Sequence, residues 1–335
     1  MANGMGKRPP KIVQSPGRRR LMLFSGRCNA ELAHEVARHL GIECGAVDLI
    51  DFASGEVYVR FPESVRGTDA FVFQGHAAPI NERIMEQALM IDALKRASAK
   101  RISAVVPFYG YARPDKKGRS REPIAARLVA DILDAAGADR IITMDLHSGQ
   151  IQGFFDGPVD HLTALPPLAR YISEHHTEDL VVVSPDAGRV KTAEKFADRL
   201  HAPLAILHKR RTTRERNVVQ VREVVGEVRG KHCVMIDDMI DTAGTIVQGA
   251  EALVEAGAAR VTAAATHPVF SDPAIDRLKN SVVDEIVVTN TLPIPPEKRL
   301  DKIVVLSIAD ILADAIRAVF DDESVSELFA GENQI

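Results

Sequence analysis

The chain has no tryptophan and only three cysteines and four tyrosines among its 335 residues. Cys28, Cys44 and Cys233 are widely separated, which excludes a disulfide scaffold and argues against a cysteine-based metal site. No stretch approaches the ~20 consecutive apolar residues of a membrane-spanning helix, and the N-terminus lacks the apolar segment of a secretion signal. We therefore expect a cytoplasmic protein without a membrane partner.

Net charge is also small, since 46 acidic residues nearly balance 42 basic ones, but the charge is unevenly distributed. Residues 1–20 contain six basic residues and no acidic one, interspersed with proline and glycine. This composition predicts a disordered basic tail over residues 1–19. A nucleic-acid-binding arm is the alternative interpretation, but interleaved aromatic residues and a second basic stripe are both missing. We therefore expect no nucleic-acid partner.

From Leu21 onward, short β-rich runs alternate with apolar residues at helical spacing, which predicts βαβ units and mainly parallel sheets. At about 100–200 residues per domain, the length suggests two domains. Residues 125–147 align without gaps on residues 245–267 with seven identities, which favours duplication over convergence on a common pattern. The predicted fold class is α/β, with two similar domains that each contain a mainly parallel sheet flanked by helices.

The proline-rich segment Gly157–Pro167 is a natural boundary between the two predicted domains. We expect an N-terminal domain over residues 20–157 and a C-terminal domain over residues 158–302. A last strand and helix, residues 303–322, are expected to pack back on the N-terminal domain.

The segment Val234–Thr245 carries the strongest chemical signal, because an apolar strand leads directly into Asp237 and Asp238. Small residues and hydroxyls then open a helix, whose N-terminal backbone N–H groups suit a phosphate. The adjacent carboxylates suit ribose hydroxyls, directly or through a divalent cation. Asp and Thr also cap helices. However, three acids and Thr-Ala-Gly-Thr within residues 237–245 exceed what a cap requires.

This run resembles the phosphoribosyl-binding motif of type I phosphoribosyltransferases and of ribose-phosphate pyrophosphokinases. Further segments narrow the resemblance to the pyrophosphokinase family: Phe52–Glu56, Glu63–Asp69, Tyr111–Lys117, Ser120–Ile124, Asp145–Phe155, Ser184–Gly188 and His208–Arg211. They follow the order of that family and cover about residues 21–320. The resemblance implies two phosphoribosyltransferase-like domains, of which the N-terminal one contacts the nucleotide and the C-terminal one binds ribose 5-phosphate.

The resemblance also implies a role for each matching residue. The implied ribose 5-phosphate site consists of Asp237, Asp238, Asp241, Thr242, Ala243, Gly244 and Thr245. The implied ATP contacts are Phe52, Glu56, Arg113 and His147. His147 and Asp186 are implied to hold Mg²⁺, the expected cofactor, and Lys209 and Arg211 to be the catalytic cations. A core position is the alternative for Phe52, and a structural role is the alternative for His147.

The implied reaction transfers the β,γ-diphosphoryl group of ATP to the anomeric hydroxyl of ribose 5-phosphate. Its products are 5-phosphoribosyl 1-diphosphate, a precursor in nucleotide biosynthesis, and AMP. The family further implies a homo-oligomer, expected to be a hexamer, with phosphate and ADP as effectors. Two other functions stay open, namely a non-catalytic regulatory paralogue of the synthase and a phosphoribosyltransferase.

Three residues depart from the pattern of the family. Pro114 follows Arg113 where glutamine is common, and it has neither a backbone N–H nor a side-chain amide. Glu122 replaces a small residue in the segment implied in effector binding, where a carboxylate repels anions. Arg189 stands where many relatives carry a second glycine, so it adds a basic side chain near the expected pyrophosphate loop.

Overall fold

The computed structural model describes residues 19–176, 179–211 and 220–329. These residues form two compact units, which are described separately. The first unit comprises the chain up to Leu162 together with the segment that begins at Ala309, and the second comprises Thr163–Ile308. The predicted basic tail lies outside the described residues, except for Arg19.

The first unit is an α/β layer structure. Its strands are β1 (Leu21–Ser25), β2 (Asp48–Asp51), β3 (Val57–Arg60), β4 (Asp69–Phe73), β5 (Arg101–Val106), β6 (Arg140–Met144) and β7 (Val159–Leu162). Its first three helices are α1 (Ala30–Leu40), α2 (Ile80–Arg96) and α3 (Ala125–Ala136). Five strands form a parallel sheet in the order β1-β4-β5-β6-β7, and β2 and β3 form a separate antiparallel hairpin.

The second unit has a larger sheet. Its helices are α4 (Leu165–His175), α5 (Val190–Leu200), α6 (Gly244–Glu255) and α7 (Ala274–Lys279). Its strands are β8 (Leu180–Ser184), β9 (Leu204–Arg211), β10 (Gln220–Val225), β11 (His232–Ile240), β12 (Arg260–Pro268), β13 (Glu285–Thr289) and β14 (Ile303–Leu306). The order is β10-β9-β8-β11-β12-β13-β14, and within it only β10 runs antiparallel to its neighbour. Helix α8 (Ala309–Asp321) belongs to the first unit.

The α/β class predicted from the sequence is confirmed. Central strands such as β8 are continuous apolar runs that are buried, as expected for parallel strands with both faces covered. The repeated segments fold alike, because α3 and α6 are both followed by a glycine with positive φ and then by a strand. Gly137 (φ +110°) and Gly257 (φ +97°) adopt the left-handed conformation that ends a helix at little cost.

The two units of the structure divide at other residues than the two predicted boundaries. The segment assigned to the domain boundary contains β7, which pairs with β6, so the first unit extends to Leu162. The strand expected to return to the first unit is β14, which pairs with β13 in the second unit, and only α8 joins the first. Both differences arise because sheet edges are set by pairing partners that are distant in sequence. In the part of the chain that the structure describes, no helix is long and apolar enough to cross a membrane.

Candidate active site

Strand β11 delivers Asp237 and Asp238 to the carboxyl end of the second sheet. The strand is buried up to Ile236, and the Asp238 N–H donates to Asp237 Oδ1 at 2.9 Å. The apolar pattern predicts that the strand ends at Asp237. In the structure it continues to Ile240, because the added residues pair with β12. The two carboxyl groups therefore lie within the strand, where its backbone holds them in place.

The segment Asp241–Ala243 forms the turn that leads from β11 into α6. Helix α6 starts at Gly244, and its N-cap residue, Ala243, is left-handed at φ +59° and makes no side-chain capping bond. The residue at the N-cap position is therefore neither Asp nor Thr. A helix N-terminus with small residues offers backbone N–H groups and a positive dipole end, which suit a phosphate.

A cation that the sequence did not single out contacts this turn. Arg277 in α7 donates from Nη1 to the Thr242 carbonyl oxygen at 2.9 Å. A Cβ atom added at Gly244 would lie 3.3 Å from the same Nη1 atom. The guanidinium therefore lies close to the start of α6. No local motif marks Arg277, because its position depends on the packing of α7 beside that turn.

Asp186 lies in the loop after β8. Its Oδ1 accepts from the Gly188 N–H at 2.8 Å, and Ser184 Oγ donates to the Asp186 carbonyl oxygen at 2.7 Å. A Cβ atom added at Gly188 would lie 3.2 Å from Asp186 Oδ1. The glycine thus allows the backbone to approach the carboxylate closely. The half-buried Asp186 side chain is held at the carboxyl end of the sheet.

Arg189 connects this loop to the aspartate pair. Its Nε lies 3.3 Å from Asp237 Oδ1 and its Nη2 lies 2.7 Å from Asp238 Oδ1. The contact is possible because β8 and β11 are adjacent parallel strands, so their carboxyl ends meet at one edge. Burial, followed by the charge of Asp238, raises the pKa of Asp237 well above its usual range, and Arg189 acts in the opposite direction.

Lys209 and Arg211, the predicted catalytic cations, belong to the last residues of β9. Their side chains lie outside the part of the chain that the structure describes, as do residues 212–219. β9 pairs with β8, the strand that precedes the Asp186 loop. The catalytic role of the two residues stays a prediction from the sequence.

Phe52 and Glu56 lie in the turn between β2 and β3 of the first unit. Phe52 N–H donates to the Glu56 carbonyl oxygen at 2.9 Å, and Ser54 Oγ donates to Glu56 Oε2 at 2.7 Å. The Phe52 side chain is 53% exposed and meets Tyr58 edge to face, with 6.2 Å between ring centroids. The alternative that Phe52 is a core residue is therefore wrong, and its ring is accessible for stacking.

Arg113 and His147 lie on two loops that follow β5 and β6 of the first unit. Gln150 Nε2 donates to the buried carboxylate of Asp115 at 2.6 Å, which ties the two loops together. β7 contributes a further contact, because the Leu146 N–H donates to His161 Nε2 at 2.9 Å. Arg113 is exposed and His147 is half-buried. Arg113 and His147, the residues predicted to contact the nucleotide after these strands, therefore lie on neighbouring loops.

The two histidines at equivalent positions of the repeat differ in environment. His267 is buried, and its Nδ1 lies 3.0 Å from Thr291 Oγ1, which is typical of a structural histidine. His147 is half-buried in a loop after β6. Among the described residues, no cluster of three or more His, Cys, Asp or Glu side chains has the arrangement of a metal site.

The departures Pro114 and Glu122 both take part in local contacts. The Pro114 carbonyl oxygen accepts from the Ala126 N–H at 3.3 Å, near the start of α3. Glu122 Oε2 accepts from the Arg119 N–H at 2.8 Å. The carboxylate of Glu122 therefore stabilises the loop in which it lies.

Two protein-family models match this chain, one in its N-terminal part and one in its C-terminal part. Residues 21–137 match a family model described as the N-terminal domain of ribose phosphate pyrophosphokinase. Residues 220–330 match the phosphoribosyl synthetase-associated domain. The two matches fall on the first and the second unit respectively, apart from the final residues of the second match.

Similar proteins align with almost the whole length of this chain. A ribose-phosphate pyrophosphokinase of Streptomyces avermitilis is 59% identical over 318 residues, which are 95% of this chain and 98% of the relative. The enzyme of that name from Mycobacterium leprae is 57% identical over 94% of this chain and 97% of its own length. The crystal structure of a phosphoribosylpyrophosphate synthetase from Mycobacterium smegmatis superimposes with a TM-score of 0.86 at 58% identity, covering 90% of this chain and 99% of that chain. The chain belongs to the ribose-phosphate pyrophosphokinase family.

Proposed function

We propose that this chain is an enzyme that transfers the β,γ-diphosphoryl group of ATP to ribose 5-phosphate. The anomeric hydroxyl oxygen attacks the β-phosphorus, the bond from that phosphorus to the bridging oxygen of AMP breaks, and the hydroxyl proton is released. The products are 5-phosphoribosyl 1-diphosphate and AMP. The observation that carries the proposal is 59% identity to a named ribose-phosphate pyrophosphokinase along 95% of the chain.

The second unit supplies the proposed sugar-phosphate site. The N-terminus of α6 with Asp241–Thr245 is proposed to bind the 5-phosphate, since the N-cap residue Ala243 has no side-chain acceptor and a helix N-terminus offers backbone N–H donors. Asp237 and Asp238 are proposed to accept hydrogen bonds from the ribose hydroxyls. Both carboxyl groups lie within β11, so they are positioned before the substrate binds.

The first unit supplies the proposed nucleotide contacts. Phe52 is proposed to stack on adenine and Glu56 to accept from its amino group, which is supported by the exposure of both residues on the β2–β3 hairpin. Arg113 and His147 are proposed to contact the phosphates. Lys209 and Arg211 are proposed to neutralise the charge that spreads over the phosphoryl oxygens in the transition state.

The residues present fit the expected Mg²⁺ in part. Mg²⁺ prefers oxygen ligands and usually binds through one or two carboxylates together with substrate phosphates and water. The Asp186 carboxylate fits this preference, whereas the imidazole of His147 is a less common ligand for this ion. When bound, Mg²⁺ would neutralise charge on the nucleotide phosphates. The protein's own contribution is to hold Asp186 at the carboxyl end of β8 through Ser184 and Gly188.

The remaining properties implied by the resemblance are proposals at the level of the family. We propose a homo-oligomer, expected to be a hexamer, in the cytoplasm, with phosphate and ADP as effectors. Glu122 Oε2 accepts from the backbone N–H of Arg119 in its own loop, so its carboxylate stays within the segment implied in effector binding. We therefore expect weaker effector binding than in a relative with a small residue at that position.

Product analysis tests the proposed reaction. Purified protein is incubated with Mg²⁺, ATP and ribose 5-phosphate, and the nucleotides are separated by chromatography. We expect AMP to form only when the sugar phosphate is present, with one 5-phosphoribosyl 1-diphosphate for each AMP. A Lys209→Ala variant is the matched negative control for the phosphoryl-transfer step.

Each other outcome contradicts the proposal in a recognisable way. ADP as the nucleotide product would indicate ordinary kinase chemistry. Release of diphosphate from 5-phosphoribosyl 1-diphosphate on addition of a nucleobase would indicate a phosphoribosyltransferase. ATP binding without turnover at several phosphate concentrations would indicate a regulatory subunit.

A further inference from the structure

Arg189 lies in the proposed site, but the family resemblance implies no role for it. It follows Gly188 in the loop after β8 and reaches both carboxyl groups at the end of β11. The Arg189 side chain is 13% exposed, and those of Asp237 and Asp238 are 17% and 7% exposed. The contact is thus largely shielded from solvent, where ion pairs are screened less than at an exposed surface.

Two neighbouring carboxylates with little exposure are unfavourable by themselves. Their charges repel each other, and burial removes the water that would solvate them. A guanidinium offsets both effects, because its planar donors contact two oxygens at fixed separation. Here different nitrogen atoms contact the two aspartates, Nε for Asp237 and Nη2 for Asp238. The contact therefore also fixes where the two carboxyl groups lie relative to each other.

We infer that Arg189 is a positioning residue that holds the Asp237 and Asp238 carboxylates ready to accept the hydroxyl groups of the sugar. The inference rests on the proposed function, in which the aspartate pair binds ribose 5-phosphate. Arg189 then acts through the pair rather than on the reacting atoms. Its removal weakens binding of the sugar phosphate and leaves the proposed adenine contacts, Phe52 and Glu56 on the first unit, unaffected.

Steady-state kinetics of Arg189→Met and Arg189→Lys test this inference. Methionine keeps an unbranched chain without the charge, and lysine keeps the charge without the two-nitrogen fork. We expect Arg189→Met to raise the KM for ribose 5-phosphate about tenfold or more, the scale of a lost charged hydrogen bond. The KM for ATP should stay within about twofold of wild type, and Arg189→Lys should recover part of the loss. Lys191→Met, which removes an exposed cation nearby, should behave like wild type.

The outcomes separate this inference from the proposed function. Wild-type protein that neither forms AMP nor binds ribose 5-phosphate in calorimetry shows that the proposed function is wrong, and the inference falls with it. Active wild type with an unchanged or lowered sugar KM in Arg189→Met overturns the inference alone. An equal rise of the KM values for ribose 5-phosphate and ATP, together with a lowered Tm, would show that Arg189 only stabilises the fold, and it also overturns the inference. If Arg189→Met does not fold, the same KM comparison on Arg189→Lys decides.

Discussion

His76 in the first unit shows how a single buried residue organises the loop after β5. Its Nδ1 accepts from the Gly110 N–H at 3.1 Å, so its other nitrogen donates to Gln87 Oε1 at 2.9 Å. Gln87 in turn donates to the Val72 carbonyl oxygen at 3.1 Å. A Cβ atom added at Gly110 would lie 2.8 Å from His76 Cβ, so only glycine fits there. The hydrogen bond between Gly110 and His76 therefore attaches the first part of the loop after β5 to the core.

Burial lowers the pKa of His76 to about 4, and this predicts a pH effect on stability. The unfolded chain takes up a proton near pH 6.5, whereas folded His76 does so only near 4. Stability from this residue is thus complete above pH 6.5 and is lost as the pH falls toward 4, by up to about 3 kcal/mol. Unfolding of wild type and His76→Gln at pH 7 and pH 5 measures it.

We expect His76→Gln to be less stable at pH 7 but to lose less stability on acidification. His39→Gln, in which an exposed histidine is replaced, should retain the wild-type pH dependence. If His76→Gln and wild type lose equal stability between pH 7 and pH 5, His76 does not carry the effect.

At the scale of elements, the start of α6 combines a strained backbone with the proposed phosphate site. Ala243 has φ +59°, which disfavours any residue with a Cβ atom and disfavours β-branched residues most. Its side chain is also buried, so a larger one meets neighbouring atoms. Strain of this kind is held in place by the surrounding structure and is common at binding sites.

We therefore expect Ala243→Val to lower the free energy of unfolding by about 1–3 kcal/mol and to raise the KM for ribose 5-phosphate. Ala243→Gly is the matched variant: it relieves the strain but loses a buried methyl group, so its stability should lie within about 1 kcal/mol of wild type. Thermal unfolding and steady-state kinetics of both variants check this. A valine variant with wild-type stability and sugar KM would show that the turn does not need its left-handed residue.

At the scale of the whole molecule, α8 returns to the unit in which the chain began. It packs on α1, and Arg317 donates to the His39 carbonyl oxygen at 3.1 Å. Asp322 pairs with Arg19 at 2.7 Å and with Arg101 at 2.6 Å. Phe320 is buried, and the Arg19 guanidinium lies 5.5 Å from its ring centroid. Residues from both ends of the sequence therefore complete the first unit.

This arrangement predicts that a cavity in α8 weakens the first unit selectively. Phe320→Ala should cost about 3–5 kcal/mol, as large-to-small replacements of buried aromatic residues do. Hydrogen exchange should accelerate in the amides of β1 and β4 and stay slow in β8 and β13. Asp314→Ala, an exposed change in the same helix, should leave both patterns unchanged. Equal acceleration in all four strands would show that the two units unfold together.

The elements encoded by local patterns were predictable from the sequence. The β-rich runs Leu21–Ser25, Leu180–Ser184 and Glu285–Thr289 predict three strands, and β1, β8 and β13 have these same bounds, because a strand covered on both faces needs consecutive apolar residues. No apolar run marks the hairpin strand β2, because its four residues include two aspartates and are partly exposed. The predicted strand ends at Asp237, whereas β11 extends to Ile240, because its last residues are strand only by pairing with β12.

The sequence by itself determined the α/β class, the duplicated unit and the position of Asp237 and Asp238 before a small-residue helix start. It could do so because strand, turn and helix signals lie within a few consecutive residues. Only the tertiary structure decided that Arg189 contacts this pair, that Arg277 lies beside the turn before α6, and that β14 and α8 belong to different units. These features depend on adjacent strands and packed helices, which bring together residues that no local pattern relates.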